Sequence, residues 1–297
     1  MSFTIARTLP EALTALAAGA RPIAGGTDLV VGARHGKAPL PTDLVAIDRL
    51  PELKFCEQTA DGVSIGALFT HHDIETHPLL TTVYAGLADG SALVGSPATR
   101  HIGTLGGNIM NGSPAMDTGA PLAVMGAAVE LQSVRGSRRI PIEQLWTGPG
   151  RTCAAPDELC VAIHIPAPPA QANSAYVRLE YRRAMEIAVV GAAAYVALAD
   201  DGTIAALRVG LTAVAPTIFT GDLSGQVGRS VEEAAAAAAA LSSEQATPIS
   251  DVRASEAYRR HTVGVMAKRA VEAAARRAAG EHLSTPVNRA IGIGAAS

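Results

Sequence analysis

Two glycine-rich loops constrain this chain more than any other feature. One is Ala24-Gly25-Gly26-Thr27-Asp28, placed directly after a short apolar stretch. The other is Gly103-Thr104-Leu105-Gly106-Gly107-Asn108, extended by Asn111-Gly112-Ser113-Pro114. Glycine lets the main chain take up positive φ and come close to a ligand. Several amides facing one way form a nest for a phosphate. Singly, each loop is better read as a plain turn. Two in one chain, bordered by Ser, Thr and Asn, make a dinucleotide site as good a reading as a pair of turns. Neither loop fits G-x-G-x-x-G or G-x-x-x-x-G-K-[ST], and none of Lys37, Lys54 and Lys268 follows such a loop. That argues against a Rossmann dinucleotide site and against a P-loop NTPase. Asp28 suits a helix cap, or a direction away from an anion.

The chain has 297 residues, which suggests two domains of modest size. It is 48% hydrophobic and 17% charged, so it should fold into a packed globule. With a formal net charge of −3 and 3% aromatic residues, it has neither a basic field nor stacking platforms for nucleic acid. The predominance of arginine among its 24 basic residues reflects base composition rather than a binding face. Cys56, Cys153 and Cys160 are too few for an all-cysteine iron–sulfur cluster or zinc site within this chain. Their odd number, and an N-terminus without an export signal, point to a reducing, cytoplasmic compartment. No stretch is apolar for long enough to span a membrane.

Thr8-Leu9-Pro10-Glu11 predicts a capped helix running to about Ala18. Strands are expected over 21–24, 63–68, 128–134 and 138–142, a helix or strand over 29–33, and 44–47 is a further short apolar run. Thr70 is expected to cap a helix through His71, His72 and Asp73, and a second helix spans 79–93. The stretch 95–119 has too few large apolar groups for a core element. Leu159, Val161, Ile163 and Ile165 alternate as in a half-buried strand. Pro166, Pro168 and Pro169, with 171–174, form the best linker. After it come a strand from Tyr176 to Arg183, a hairpin turning at Asp200-Asp201-Gly202, an alanine-rich helix over 231–241, and a long helix capped by Ser255 that ends at Gly280. The tail beyond Pro286 is expected to be loose.

Adjacent His71 and His72 point about 100° apart on a helix, a poor metal pair, and no metal site is expected. His101 either packs on a cofactor or is solvated, and His164 reads as a surface residue. Cys160 either fills a core or lines a cofactor. No Ser–His–Asp or Cys–His signature occurs, so no catalytic residue is assigned within this chain.

Six pieces, in order and spanning nearly the whole chain, resemble the FAD-binding medium subunit of the molybdenum hydroxylases, the xanthine dehydrogenase and carbon monoxide dehydrogenase family. They are A-G-G-T-D-L at 24–29, I-G-A-L-x-T-H at 65–71, R-x-I-G-T-L-G-G-N-I at 100–109, S-P-A-x-D at 113–117, A-M-E-I-A-V-V at 184–190 and D-x-R-A-S-E-A-Y-R-R-H at 251–261. The resemblance implies an α+β architecture. A two-lobed FAD-binding domain of the vanillyl-alcohol-oxidase type would cover 1–170, with lobes at about 1–55 and 56–170. A small α+β domain would follow at 175–285, with a loose tail at 286–297.

It further implies that Ala24, Gly25, Gly26, Thr27, Asp28 and Leu29, with Ile102, Gly103, Thr104, Gly106, Gly107, Asn108 and Ser113, bind FAD. Within these, 24–28 and 104–108 would be the backbone cradles of its pyrophosphate. Asp117 stands where a family carboxylate binds ribityl or ribose hydroxyls. Cys160 and Val161 would lie by the isoalloxazine, with Arg178 and Tyr181 as further neighbours. Arg178 replaces a common Lys and Glu186 a common Asp, and a guanidinium cannot give up its proton as an ammonium can. The resemblance implies an electron-relay role, with molybdopterin and two [2Fe–2S] clusters held by a large and a small partner subunit in a dimer of heterotrimers. The alternative is a stand-alone FAD oxidoreductase of the same superfold. A third reading is a scaffold whose glycine loops only turn the chain.

Overall fold

The computed structural model describes residues 2–36, 38–182 and 184–293. The first lobe contains β1 (Ser2–Ile5), α1 (Leu9–Ala17), β2 (Arg21–Ile23), α2 (Leu29–Arg34) and β3 (Asp43–Ala46). Its sheet is parallel, in the order β1-β3-β2. The Thr8 hydroxyl caps α1 by accepting from the Glu11 amide at 3.3 Å. Glu11 itself accepts from the Arg7 amide, so only half of the expected box forms.

The second lobe follows with β4 (Cys56–Thr59), β5 (Gly62–Gly66), α3 (His71–Thr76), α4 (Pro78–Thr82), α5 (Ala85–Leu93), α6 (Pro97–Arg100), α7 (Leu105–Asn111) and α8 (Gly119–Val124). It continues with β6 (Ala128–Ser133), β7 (Gly136–Pro141), β8 (Trp146–Gly148), β9 (Arg151–Thr152) and β10 (Leu159–Pro166). β4-β5-β10-β6-β7 form an antiparallel sheet. Thr70 and Asp73 make a complete capping box on α3. The helix expected over 79–93 is broken at Val83–Tyr84 into α4 and α5, because Tyr84 leaves helical geometry at φ −116° and ψ 41°.

β10 is buried on both faces rather than one. Its pairing with β6 slips between Cys160 and Ala162, leaving Val161 as a bulge. The bulge exchanges the two faces. Leu159 and Val161 enter the core of the first lobe, whereas Cys160, Ile163 and Ile165 enter that of the second. A strict alternation therefore holds only on each side of residue 161. The stretch 95–119 also departs from expectation. It carries α6 and α7, and Leu105 and Ile109 are fully buried in the second-lobe core. Few large residues are enough there because glycines let the helix approach closely. His164 is partly buried, with Nε2 2.9 Å from Glu130 and Nδ1 3.0 Å from Ser64.

The remainder is an antiparallel sheet of β11 (Ala172–Leu179), β12 (Val190–Leu198), β13 (Ile204–Thr212) and β14 (Phe219–Asp222), packed on α9 (Val231–Gln245) and α10 (Glu256–Ala278), with α11 (Val287–Ala290) last. β11 begins inside the expected linker and ends at Leu179, before Arg183, which lies outside the described residues. Val263, Met266, Ala267, Ala270 and Ala274 form the buried stripe of α10. The chain after Pro286 is seated rather than loose. Val287 and Asn288 are buried, and Asn288 exchanges hydrogen bonds of 3.0 and 2.8 Å with the Arg178 main chain. Residues 294–297 of that tail lie outside the described residues.

Candidate cofactor site

The two glycine loops meet. A Cβ on Gly25 would overlap the Ile102 carbonyl oxygen, so only glycine permits the contact. On the other side, a Cβ on Gly103 would stand 3.6 Å from the Thr27 hydroxyl. The bulge at Val161 helps to hold this arrangement. The Val161 carbonyl accepts from the Ala67 amide at 3.0 Å, and the Ala67 carbonyl accepts from the Gly106 amide at 2.9 Å. The β10 backbone is thus tied through the end of β5 to the start of α7.

The loops differ in what they leave open. Among the described residues, the amides of Gly25, Gly26, Thr27 and Leu29 donate to no acceptor in the chain. In the second loop, Gly103, Leu105, Gly106, Gly107 and Asn108 all donate internally, Gly107 to the Thr104 hydroxyl that caps α7. The first loop therefore presents four free donors, and the second presents one, the Thr104 amide. The second presents a floor without side chains: Gly107 is exposed, and a Cβ there would meet only the Thr104 hydroxyl, at 2.9 Å. Asp28 precedes α2 but makes no side-chain cap bond to it. Ala24 and Leu29 flank the first loop half-buried. Ile102 is exposed beside the second.

Asn108 accepts from the Thr118 hydroxyl at 2.6 Å, which joins the second loop to the neighbourhood of Asp117. The Ser113 hydroxyl is turned inward to the Ala115 amide. Asp117 is buried, with Oδ1 2.9 Å from the Tyr176 hydroxyl and Oδ2 2.8 Å from Arg178 Nη1. Burial pushes its carboxyl above the ordinary range, against the pull of the Arg178 charge and the Tyr176 hydroxyl. Arg178 is fully buried. Its Nε donates to Glu180 at 3.1 Å, its Nη2 also pairs with Glu180, and its Nη1 reaches the Leu93 and Glu186 carbonyls at 3.0 and 3.3 Å. A lysine has three donors from one point and could not span that set. The departure at Arg178 thus comes with Glu180, which sequence reasoning missed. The signal was available: an acid two residues beyond a basic strand residue falls on the same face.

Other expected residues are committed elsewhere. The Cys160 and Val161 side chains lie in two different cores, and burial raises the Cys160 thiol to about 12. The Tyr181 ring is exposed, and its hydroxyl donates to the Arg253 carbonyl at 2.7 Å. The adjoining loop returns towards the second glycine loop. The Met185 amide donates to the Gly95 carbonyl, and its sulfur lies 3.9 Å from the Thr99 hydroxyl. His71 is buried beside the loops, its amide donating to the Gly103 carbonyl. Burial, with a smaller push from Arg100, lowers its pKa to about 4. The His101 ring stacks on His72 at 3.9 Å. Among the described residues, no group of three or more His, Cys, Asp or Glu is placed to hold a metal.

The fit to a flavin dinucleotide is good on these observations: loops that touch at a glycine, unused amides at both, and a buried carboxylate nearby. A family model described as the FAD-binding domain in molybdopterin dehydrogenase matches residues 1–168, and one described as the CO dehydrogenase flavoprotein C-terminal domain matches 175–274. The chain belongs to this FAD-binding family. It is 31% identical to a putative xanthine dehydrogenase FAD-binding subunit of Escherichia coli K12, over 94% of this chain and 98% of that one. It is 34% identical to the carbon monoxide dehydrogenase medium chain of Afipia carboxidovorans, over 90% and 92%. Its fold superposes on a chain of the Hydrogenophaga pseudoflava carbon monoxide dehydrogenase with a TM-score of 0.88 at 29% identity, covering 93% of this chain and 98% of that one. For quinoline 2-oxidoreductase from Pseudomonas putida 86 the TM-score is 0.86 at 28% identity, over 94% and 98%. The family's cofactor, FAD, matches the donor set described above.

Proposed function

We propose that this chain is the FAD-carrying electron-transfer subunit of a molybdenum hydroxylase, passing electrons from [2Fe–2S] clusters in a small subunit to an external acceptor. The hydroxylation chemistry would reside in a large molybdopterin subunit. The observation that carries the reading is the contact of the two glycine loops, with the open amides of Gly25, Gly26, Thr27 and Leu29 beside it.

When bound, FAD supplies a centre that exchanges electrons singly or in pairs. The chain's own residues bind and orient it. The first-loop amides donate to the diphosphate, and Thr27 adds a hydroxyl. Ile102, Gly103, Thr104, Gly106, Gly107 and Asn108 form the opposing floor, where the absence of side chains permits close approach. Asp117, oriented by Tyr176 and Arg178, accepts from sugar hydroxyls. Arg178 fixes Asp117 without moving a proton at neutral pH. The same Nη1 also reaches the Leu93 and Glu186 carbonyls, and so holds the segment that carries Tyr181 and Met185. In this reading 1–170 is the FAD-binding domain, 175–285 the second domain, and the assembly a cytoplasmic dimer of heterotrimers.

Purification from the native source tests the reading. A yellow complex should result, with one FAD per copy of this chain and two further subunits in equal amounts. A colourless chain that takes up no FAD would defeat it. A yellow chain without partners would favour the stand-alone oxidoreductase.

A further inference from the structure

A second concavity lies at the other end of the same strands. It has a volume of about 420 Å³ and lies where the α4–α5 junction, the end of α8 and the proline linker meet the face of β11–β13 turned away from α9 and α10. That size suits a small organic molecule. On β11, Ser174 lines it while Arg178 belongs to the flavin site; four residues at about 3.3 Å each separate them by roughly 13 Å.

Its lining is unusual for this chain. Met125, Pro166 and Pro168 give apolar walls, and two of the chain's five tyrosines, Tyr84 and Tyr195, face into it. Tyr84 is only 3% exposed. Neither phenol oxygen has a hydrogen-bond partner among the described residues, and neither is sealed off. Burial pushes both phenols above their ordinary range, so each is a protonated donor at neutral pH. Arg208, the cross-strand partner of Tyr195, closes one side. It makes no ion pair or hydrogen bond among the described residues, and Asp222, opposite it on β14, accepts from the Ser224 amide instead. Among the described residues, no acidic side chain lines the cavity. One uncommitted cation, two O–H donors and apolar walls form a complement to a flat anion.

We propose that this inter-domain cavity binds one small aromatic carboxylate, its ring between the proline–methionine wall and the tyrosines and its carboxylate on Arg208. Such a ligand would touch both domains at once. The site does not depend on the flavin assignment.

The test is calorimetric titration of the FAD-loaded protein, with whatever subunits accompany it, using benzoate and its uncharged analogue benzamide. Benzoate should fill one Arg208-dependent site per chain. Benzamide should bind there at least about 10-fold more weakly, since a charge-assisted bond is lost. Arg208→Met should lower benzoate affinity by about 10-fold or more, and Tyr195→Phe by a smaller factor, with FAD content unchanged in both. Absence of saturable benzoate binding overturns the proposal, as does equal binding by Arg208→Met or equal affinity for benzamide.

Discussion

Gly25 and Gly107 stand in loops of similar composition, yet an added methyl group meets different surroundings at each. At Gly25 it strikes the Ile102 main chain, which cannot move without parting the loops. At Gly107 it meets only the Thr104 hydroxyl and otherwise points into the open floor. Gly107→Val should therefore abolish FAD binding while costing the fold only about 1 kcal/mol, the worth of a perturbed helix cap. Gly25→Ala should lose FAD and also loosen the first lobe. Equilibrium dialysis with FAD, beside urea unfolding of the apo chain, separates the two; wild-type FAD affinity in Gly107→Val would remove the second loop from the site. His71 supports a pH prediction. Its pKa falls from 6.5 to about 4 on folding, so between those values the unfolded chain holds a proton that the folded chain does not. Stability is then full above pH 6.5 and declines as pH falls towards 4, by about 2 kcal/mol between pH 7 and 5. His71→Asn should remove that part of the slope in urea titrations; an unchanged slope would show that His71 is not the group responsible. The loops were legible in the sequence because glycine runs are local. The commitment of Arg178 to the Leu93 carbonyl and to Asp117 was less so, because those partners lie 85 and 61 residues away along the chain.

Helix starts are legible for the same reason. Thr8, Thr70 and Ser255 cap the helices that follow them because the cap oxygen and its amide are three residues apart. Features set by packing between elements were not. The face exchange at Val161 depends on the register of β10 against β6, and the seating of α11 depends on β11. Asp89 is the clearest case. It sits mid-helix in α5, fully buried, and binds Arg277 of α10 through two bonds of 2.6 and 3.0 Å. It also accepts from the Tyr176 and Val287 amides at 3.1 and 2.8 Å. One carboxylate thus joins α5, β11, α10 and α11. Removing one partner of such a pair leaves an uncompensated buried charge, at a cost of roughly 3–5 kcal/mol. Asp89→Asn should show that loss in chemical unfolding. A loss under about 1 kcal/mol would mean that Arg277 finds water or another acceptor.

In the whole molecule the small parallel sheet and the larger antiparallel sheet meet where Leu68 enters the first-lobe core and α1 packs on β6. The Leu159 and Val161 side chains enter that core too, and Gly25 rests on Ile102. The proposed FAD diphosphate lies across that seam, with donors on one lobe and floor on the other. A ligand held by both lobes binds only when they are docked, so it should stabilise the docked state by mass action, about 2.7 kcal/mol at a free concentration 100 times Kd. Heating scans of the apo chain should therefore show the first lobe unfolding early, and added FAD should merge that step with the main transition. Gly107→Val should keep the apo profile and show no FAD-dependent merging. Equal FAD shifts in Gly107→Val and wild type would place the stabilising contact on one lobe alone, and the bridging geometry would then have to be given up even if the chain binds flavin.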